Sequence, residues 1–335
     1  MMTRRSTGKT RVARAVWYAR KGTVELRAAP LPRPQPSEAL VRALFSGISR
    51  GTERLVFNGE VGRSEWERMR CPNQEGAFPF PVKYGYCATG IVEVGPGELV
   101  GQTVFCLHPH QDHFNAPIAS LVPVPDGVPA RRATLTANME TALNALWDSG
   151  AGPGDRIVVV GAGVVGLLVA ALAARLPGAD VTSVDVDESR GPIAQSLGAR
   201  FAPPQQAPGD ADIVFHASAT AAGLGTAINC AGLEGTIVEM SWYGDKPVQV
   251  DLGGAFHSRR LRLVSSQVGH VSAGRRPRWT HRRRVEAAVA LLAAMPALDA
   301  LVAEEIAFED AARELPRILG PSGRGLAPVI RYPQT

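Results

Sequence analysis

A valine-rich run, Ile157 to Val160, feeds into Gly161-Ala162-Gly163-Val164-Val165-Gly166 and then into an alanine-rich segment. That order predicts strand, glycine turn and helix. Gly161 permits the tight turn, Gly163 lets a pyrophosphate approach the backbone, and Gly166 allows the helix to pack closely on the strand. The anion would rest on exposed N–H groups of the first helical turn, which includes Val165. A second apolar strand, Val181 to Val184, ends in Asp185, close to the separation of about 20 residues expected of a ribose-binding carboxylate. Such a carboxylate accepts hydrogen bonds from the adenosine ribose and repels a 2′-phosphate, which favours NAD over NADP. Asp187 adds negative charge, and Arg190, the one residue that argues for a phosphate, reads as a solvated helix residue.

The elements that must hold this turn are legible around it. The 335 residues suggest about two domains. Short strands split by Pro and Gly run from Val24 to Val104 (Val24 to Arg27, Ala39 to Phe45, Gly90 to Val94, Thr103 to Cys106) and imply an all-β unit. From Ala137 onward strands alternate with helices, which implies a parallel sheet with right-handed crossovers. Strands at Ile157 to Val160, Val181 to Val184, Arg200 to Ala202, Asp212 to His216, Thr236 to Met240 and Leu261 to Ser265 make six, as a complete dinucleotide fold needs. Arg284 to Tyr332 gives a helix, a loop and a terminal strand, Ala327 to Arg331, that packs back on the first unit.

Composition excludes several other classes. No uncharged apolar stretch reaches 18 residues, so no membrane span is expected. Cys71, Cys87, Cys106 and Cys230 form no C-x-x-C pair, which argues against a disulfide framework or zinc knuckle and for a reducing cytoplasm. The net charge of +5 is modest. The basic run Arg275, Arg276, Arg278, Arg282, Arg283 and Arg284 leads into an amphipathic helix and reads as a solvated helix start, with contact to an acidic ligand as the alternative; nucleic acid is not expected. Met1 to Lys21 is basic, lacks acids and reads as a frayed tail; an organelle-targeting segment is the other reading of such a stretch.

Over nearly its whole length the chain resembles the medium-chain dehydrogenase/reductase superfamily, the zinc alcohol dehydrogenase family. The resemblance is carried by Ser46-Gly47-Ile48-Ser49, Gly85 with Gly90, Asp155, the turn Gly161 to Gly166, Asp185, the strand Asp212 to His216 with Ser218 after it, and the closing strand Ala327 to Arg331. It implies an α/β fold: a GroES-like β domain (1–137 and 270–335) plus a Rossmann doubly wound parallel sheet (138–269), with hydride transfer in the cleft between them. The pattern Ser46 to Glu53, with Tyr86 downstream, is also similar to the bacteriochlorophyllide hydroxyethyl dehydrogenase branch. Zinc-dependent relatives hold one metal with a cysteine, a His-Glu pair and a later Cys, Asp or Glu. Flanking glycines place Ser49, Tyr86, Cys87 and Ala137 at those positions, and one soft ligand cannot hold a catalytic zinc, which needs three protein ligands. A zinc-independent member is expected. The counter-reading is a relocated metal site built from Cys106, His108, His110 and His113, with Cys87 or Glu140 completing it.

Without zinc, hydroxyl groups must handle the proton and the developing charge. Tyr86 is the first candidate and Ser49 the second, with Lys83, Arg50 or His110 as the cation that would lower the tyrosine; Glu140 and Glu53 are reserve acid/base groups. The resemblance further implies cofactor contacts from Thr141, Ser218, Ser241 and Gly269, and a homodimer or homotetramer formed through sheet edges, to which Thr236 to Trp242 could contribute. Three functions remain: an NAD-dependent dehydrogenase of small alcohols and carbonyls, an enoyl- or quinone-type C=C reductase, and a dinucleotide-binding protein with a decayed site.

Overall fold

The computed structural model describes residues 11–321 and 323–334. A six-stranded parallel sheet runs in the spatial order Arg200–Ala202, Asp180–Val184, Arg156–Val160, Ala211–His216, Ala231–Glu239, Arg262–Ser265. In chain sequence that order reads 3-2-1-4-5-6, the doubly wound arrangement whose ligands bind where the order reverses. The reversal lies between Arg156–Val160 and Ala211–His216, which pair in parallel from Ile157 with Ile213 to Val160 with His216. Continuous β-branched runs suit strands buried on both faces, and Ile157, Val158, Val159 and Val160 are all buried. The helix Val164–Ala173 is buried from Gly166 onward. Each leucine it places in the core, such as Leu167 or Leu168, contributes about 2 kcal/mol of burial.

The β unit contains a seven-stranded sheet centred on Glu38–Gly47, which pairs with Ala88–Val94, His113–Pro117 and the terminal strand Val329–Arg331. The return of the chain's end to the first unit is thus seen directly, with Ile330 opposite Ser46. A second, four-stranded sheet corrects the reading of the N-terminus. Residues 1–10 of the expected tail lie outside the described residues, but Arg11–Arg20 is a ten-residue strand that pairs with Thr23–Leu31 along its length and with Val82–Lys83. Its Val16 and Tyr18 are fully buried.

The expected sheet edge is also corrected. Ala231–Glu239 lies between two neighbours, so the edge belongs to Arg262–Ser265. No single helix among the described residues is long and apolar enough to cross a membrane.

The basic run is not a uniform solvated stripe. Arg284 is 1% exposed. Its guanidinium donates to Glu140 Oε1 (2.8 Å), Asn144 Oδ1 (2.5 Å) and the carbonyls of Val268 (2.5 Å) and His270 (3.1 Å). It thereby fastens the helix His281–Ala293 to the helix Thr136–Ser149. Arg275 and Arg283 lie over the Trp147 and Trp279 rings, and Arg282 donates to the Leu121 carbonyl. These groups are engaged within the fold. Replacing Arg284 with Met strands the Glu140 carboxylate without its cation, so Arg284→Met should lower stability by about 3–5 kcal/mol in urea unfolding; a loss under about 1 kcal/mol would contradict this role.

Candidate active site

The three turn glycines have different reasons to be glycine. Gly161 has φ +106°, and a Cβ there would lie 2.7 Å from the Ser218 amide nitrogen. A Cβ on Gly166 would lie 1.8 Å from the Gly161 carbonyl oxygen, so close helix–strand packing requires that residue. Gly163 has an ordinary φ of −75°, and nothing within the protein lies within 4 Å of its Cβ position. It is the N-cap of the helix and offers no side-chain cap, so the first-turn N–H groups receive no side-chain partner from it. A pyrophosphate fits that donor set.

Asp185 stands at the end of its strand as expected. Its Oδ2 accepts from the Ala162 amide (2.6 Å) and its Oδ1 from the Asp187 amide (2.8 Å), which ties the glycine turn to the neighbouring strand. Two oxygens with about four acceptor positions retain capacity for ribose hydroxyls. Arg190 departs from the solvated reading: it pairs with Asp187 at 3.2 Å and donates to the Gly325 carbonyl at 3.3 Å.

In the β unit, the Tyr86 hydroxyl donates to Ser49 Oγ at 2.5 Å. Ser49 begins the helix Arg50–Asn58 but does not cap it with its own oxygen. Glu53, one turn on, supplies the reciprocal bond instead: its Oε1 accepts from the Ser49 amide at 2.7 Å, leaving the serine hydroxyl for Tyr86. The other carboxylate oxygen accepts from Tyr18 (2.7 Å) and His110 Nε2 (2.9 Å). Beyond His110 the chain of bonds continues from Nδ1 to Ser46 (2.7 Å) and from Ser46 to Tyr332 (2.8 Å). Glu53 and His110 are completely buried. Burial acts to raise the Glu53 carboxyl, but the charge and hydrogen bond of His110, with the Tyr18 and Ser49 donors, hold it below the ordinary value of 4.5. Gly85, with φ +117°, lies so close to the His110 ring that a Cβ would meet it at 2.9 Å; the backbone entering Tyr86 therefore rests on the imidazole.

The expected activation of Tyr86 by a neighbouring cation is not seen. Burial pushes its hydroxyl well above the ordinary value, Cys87 adds to this, and the Ser49 and Thr52 hydroxyls only partly oppose it. Lys83 is engaged by Glu75 and Gln111, Arg50 by the carbonyls of Ile318, Gly323 and Gly325, and His110 by Ser46 and Glu53. Tyr86 thus keeps its proton and acts as a hydrogen-bond donor to Ser49. Glu140 is likewise corrected as an acid/base candidate, because it is buried and committed to Arg284.

The metal cluster does not assemble. His108 stacks on Phe114 with centroids 3.8 Å apart and bonds the Pro109 carbonyl, and burial brings its imidazole down to about 3. His113 faces Asp112 at 3.5 Å, while the Cys106 thiol, pushed up to about 11 by burial, contacts Ser120. Cys87 is buried against Asn138, with its thiol held well above the ordinary range by burial. Among the described residues no three His, Cys, Asp or Glu side chains are grouped to hold a metal. The Ser49, Tyr86, Cys87 and Ala137 set offers one soft donor, which does not fit zinc.

Of the remaining expected contacts, Thr141 is half-buried, with its hydroxyl on the Ala137 carbonyl (3.0 Å), and Ser241 Oγ accepts from the Ala219 amide (3.1 Å). Gly269 lies on an exposed loop, where its amide donates to Gln267. Ser218 belongs to a cluster with His216 and Glu239 that motif reading missed. Its sequence signal is a polar residue ending each of two adjacent apolar strands, which parallel register places side by side.

No family model matches the sequence. The chain is 25% identical over 214 residues to sorbitol dehydrogenase of Gallus gallus, covering 56% of this chain and 59% of that protein. It is 31% identical over 215 residues to an uncharacterised zinc-type alcohol dehydrogenase-like protein of Haemophilus influenzae, covering 55% and 60%. The chain thus spans about three-fifths of the curated relatives it matches. Among solved structures, an Escherichia coli alcohol dehydrogenase (rspB) complexed with NADH superposes with a TM-score of 0.75 at 15% identity, covering 96% of this chain and 100% of that one. A Sinorhizobium meliloti dehydrogenase bound to NADP gives 0.76 at 18% identity, covering 96% and 99%.

The glycine geometry separates binding from folding. Gly166→Ala should destabilise the protein by about 3 kcal/mol through overpacking, whereas Gly163→Ala should leave the melting temperature within a few degrees and weaken NADH binding about tenfold. Full NADH affinity in Gly163→Ala, measured by fluorescence titration, would remove the assignment.

Proposed function

We propose that this chain, a member of the medium-chain dehydrogenase/reductase superfamily, is an NAD(H)-dependent oxidoreductase that interconverts a small secondary alcohol and its carbonyl without catalytic zinc. The observation that carries the reading is Gly163. Packing and backbone conformation explain Gly161 and Gly166, and a bound pyrophosphate accounts for an uncapped, side-chain-free helix start at the switch point of a parallel sheet.

When bound, the nicotinamide supplies or accepts the hydride. The residues of this chain do the rest. First-turn amides from Val164 to Gly166 bind phosphate, Asp185 holds ribose hydroxyls and disfavours a 2′-phosphate, and the half-buried Thr141 is the nicotinamide contact that the resemblance implies. In carbonyl reduction Tyr86 turns its proton from Ser49 Oγ, 2.5 Å away, to the oxygen that gains charge, and the Ser49 hydroxyl, freed from capping by Glu53, then donates to the phenolate left behind. Burial keeps the Tyr86 hydroxyl protonated near neutrality, the state a proton donor requires. The same proton donor would serve reduction of an activated C=C bond, the second reading, which NADPH preference would favour. The exposed edge strand Arg262–Ser265 offers an unpaired ladder to a second copy, in keeping with a homodimer.

Fluorescence titration should show NADH bound at least about tenfold more tightly than NADPH. On a panel of ketones and enones, Tyr86→Phe should lower kcat by about a hundredfold while leaving the NADH Kd unchanged. Binding of neither dinucleotide would overturn the reading; tight binding without turnover would favour a dinucleotide-binding protein.

A further inference from the structure

At the carboxyl ends of the strands Ala211–His216 and Ala231–Glu239, a carboxylate, an imidazole and a hydroxyl are joined in series. Glu239 Oε2 lies 2.8 Å from His216 Nδ1, and His216 Nε2 lies 2.7 Å from Ser218 Oγ. His216 is completely buried and Ser218 half-buried. Ser218 borders the glycine turn, since a Cβ on Gly161 would meet its amide at 2.7 Å. Gly223 leaves room for the pair: a Cβ there would lie 2.0 Å from Ser218 Oγ and 2.9 Å from His216 Nε2.

The donors and acceptors can be counted through the series. Glu239 also accepts from the Ser241 amide (2.7 Å) and the Tyr243 hydroxyl (3.1 Å). Burial acts to raise its carboxyl, but His216 and the Ser241 amide and hydroxyl hold it below the ordinary range, so it is ionised and carries no proton to give. The hydrogen between Glu239 and His216 therefore sits on Nδ1, and the tautomer that carries it there presents the Nε2 lone pair to the Ser218 hydroxyl. Thr220 Oγ1 accepts from the Gly223 amide at 3.0 Å, so its own hydrogen is free to point to Ser218 Oγ at 3.1 Å. One acceptor position then remains on Ser218, beside the switch point.

The geometry points to Glu239 and His216 as positioning residues that lock the Ser218 hydroxyl as a hydrogen-bond acceptor for a donor group of the bound dinucleotide, a ribose hydroxyl or the carboxamide N–H2. This rests on the proposed dinucleotide binding. The arrangement has the connectivity of a nucleophilic serine triad, but the nearby amides that could stabilise an oxyanion are engaged: Ala219 N–H donates to Ser241 Oγ and Gly223 N–H to Thr220 Oγ1.

The test is a double-mutant cycle on NADH affinity, read by fluorescence titration. Ser218→Ala and His216→Asn should each weaken binding about fivefold to tenfold, and His216→Asn should add nothing in the Ser218→Ala background, because the imidazole acts only through the hydroxyl. If His216→Asn fails to fold, Glu239→Gln takes its place in the cycle. ADP-ribose in place of NADH separates the donors: a retained Ser218→Ala penalty identifies a ribose hydroxyl, and a vanished one the carboxamide. Three results would overturn the relay alone, with wild type binding NADH normally: unchanged affinity in Ser218→Ala, an equal loss from His216→Asn with and without Ser218, or labelling of Ser218 by a fluorophosphonate. Failure of wild type to bind NADH would overturn the dinucleotide reading as well.

Discussion

The arrangement of the wall that carries Tyr86 depends on one buried carboxylate. Glu53 has no exposed surface, and an ion so placed is tolerated only when paired and fully hydrogen-bonded. Its partners come from three separate segments: Tyr18 from the first strand, Ser49 from the helix start and His110 from the loop before His113–Pro117. Satisfying Glu53 therefore fixes the distance between those segments. It also frees the Ser49 hydroxyl from helix capping and seats Gly85 on the imidazole, so that Tyr86 emerges beside Ser49. The hydrogen-bonded network extends through His110 to Ser46 and Tyr332 and gathers side chains from distant parts of the chain.

A comparable logic holds the second wall. At the Rossmann sheet the backbone, rather than a side chain, forms the surface of the turn: Gly161 and Gly166 bring strand and helix together, and Asp185 clamps the turn through the Ala162 amide. Arg284 then joins the helix following the sheet to the helix carrying Thr141 and Glu140. Both walls are thus held by buried ionic groups whose loss would be felt as misplacement of the site as well as lost stability.

The Rossmann half was largely legible in the sequence because its signals are local. Valine runs, a glycine turn and an acid at a strand end place five of the six strands within a few residues, and even the short Arg200–Ala202 strand falls where expected. The strand Arg11–Arg20 was missed because its buried positions include Ala13 and Ala15 next to Val16, which breaks the apolar alternation, and because its arginines resemble a solvated tail. Arg284 was misread because charge in a run says nothing about which member meets a carboxylate more than a hundred residues away. The Cys106 to His113 spacing suggested ligands, but the strand and loop geometry sends each side chain to a different partner. The His216 and Glu239 pairing is a contact of register, visible only once the two strands are adjacent.

The central claim is that hydroxyl groups organised by Glu53 replace a metal at this site. Elemental mass spectrometry on tag-free protein, purified without added zinc and active in NADH-dependent reduction, tests it directly. The account predicts zinc well below one equivalent per chain with turnover unaffected by chelator; one equivalent of zinc, lost together with activity on chelation, would contradict it.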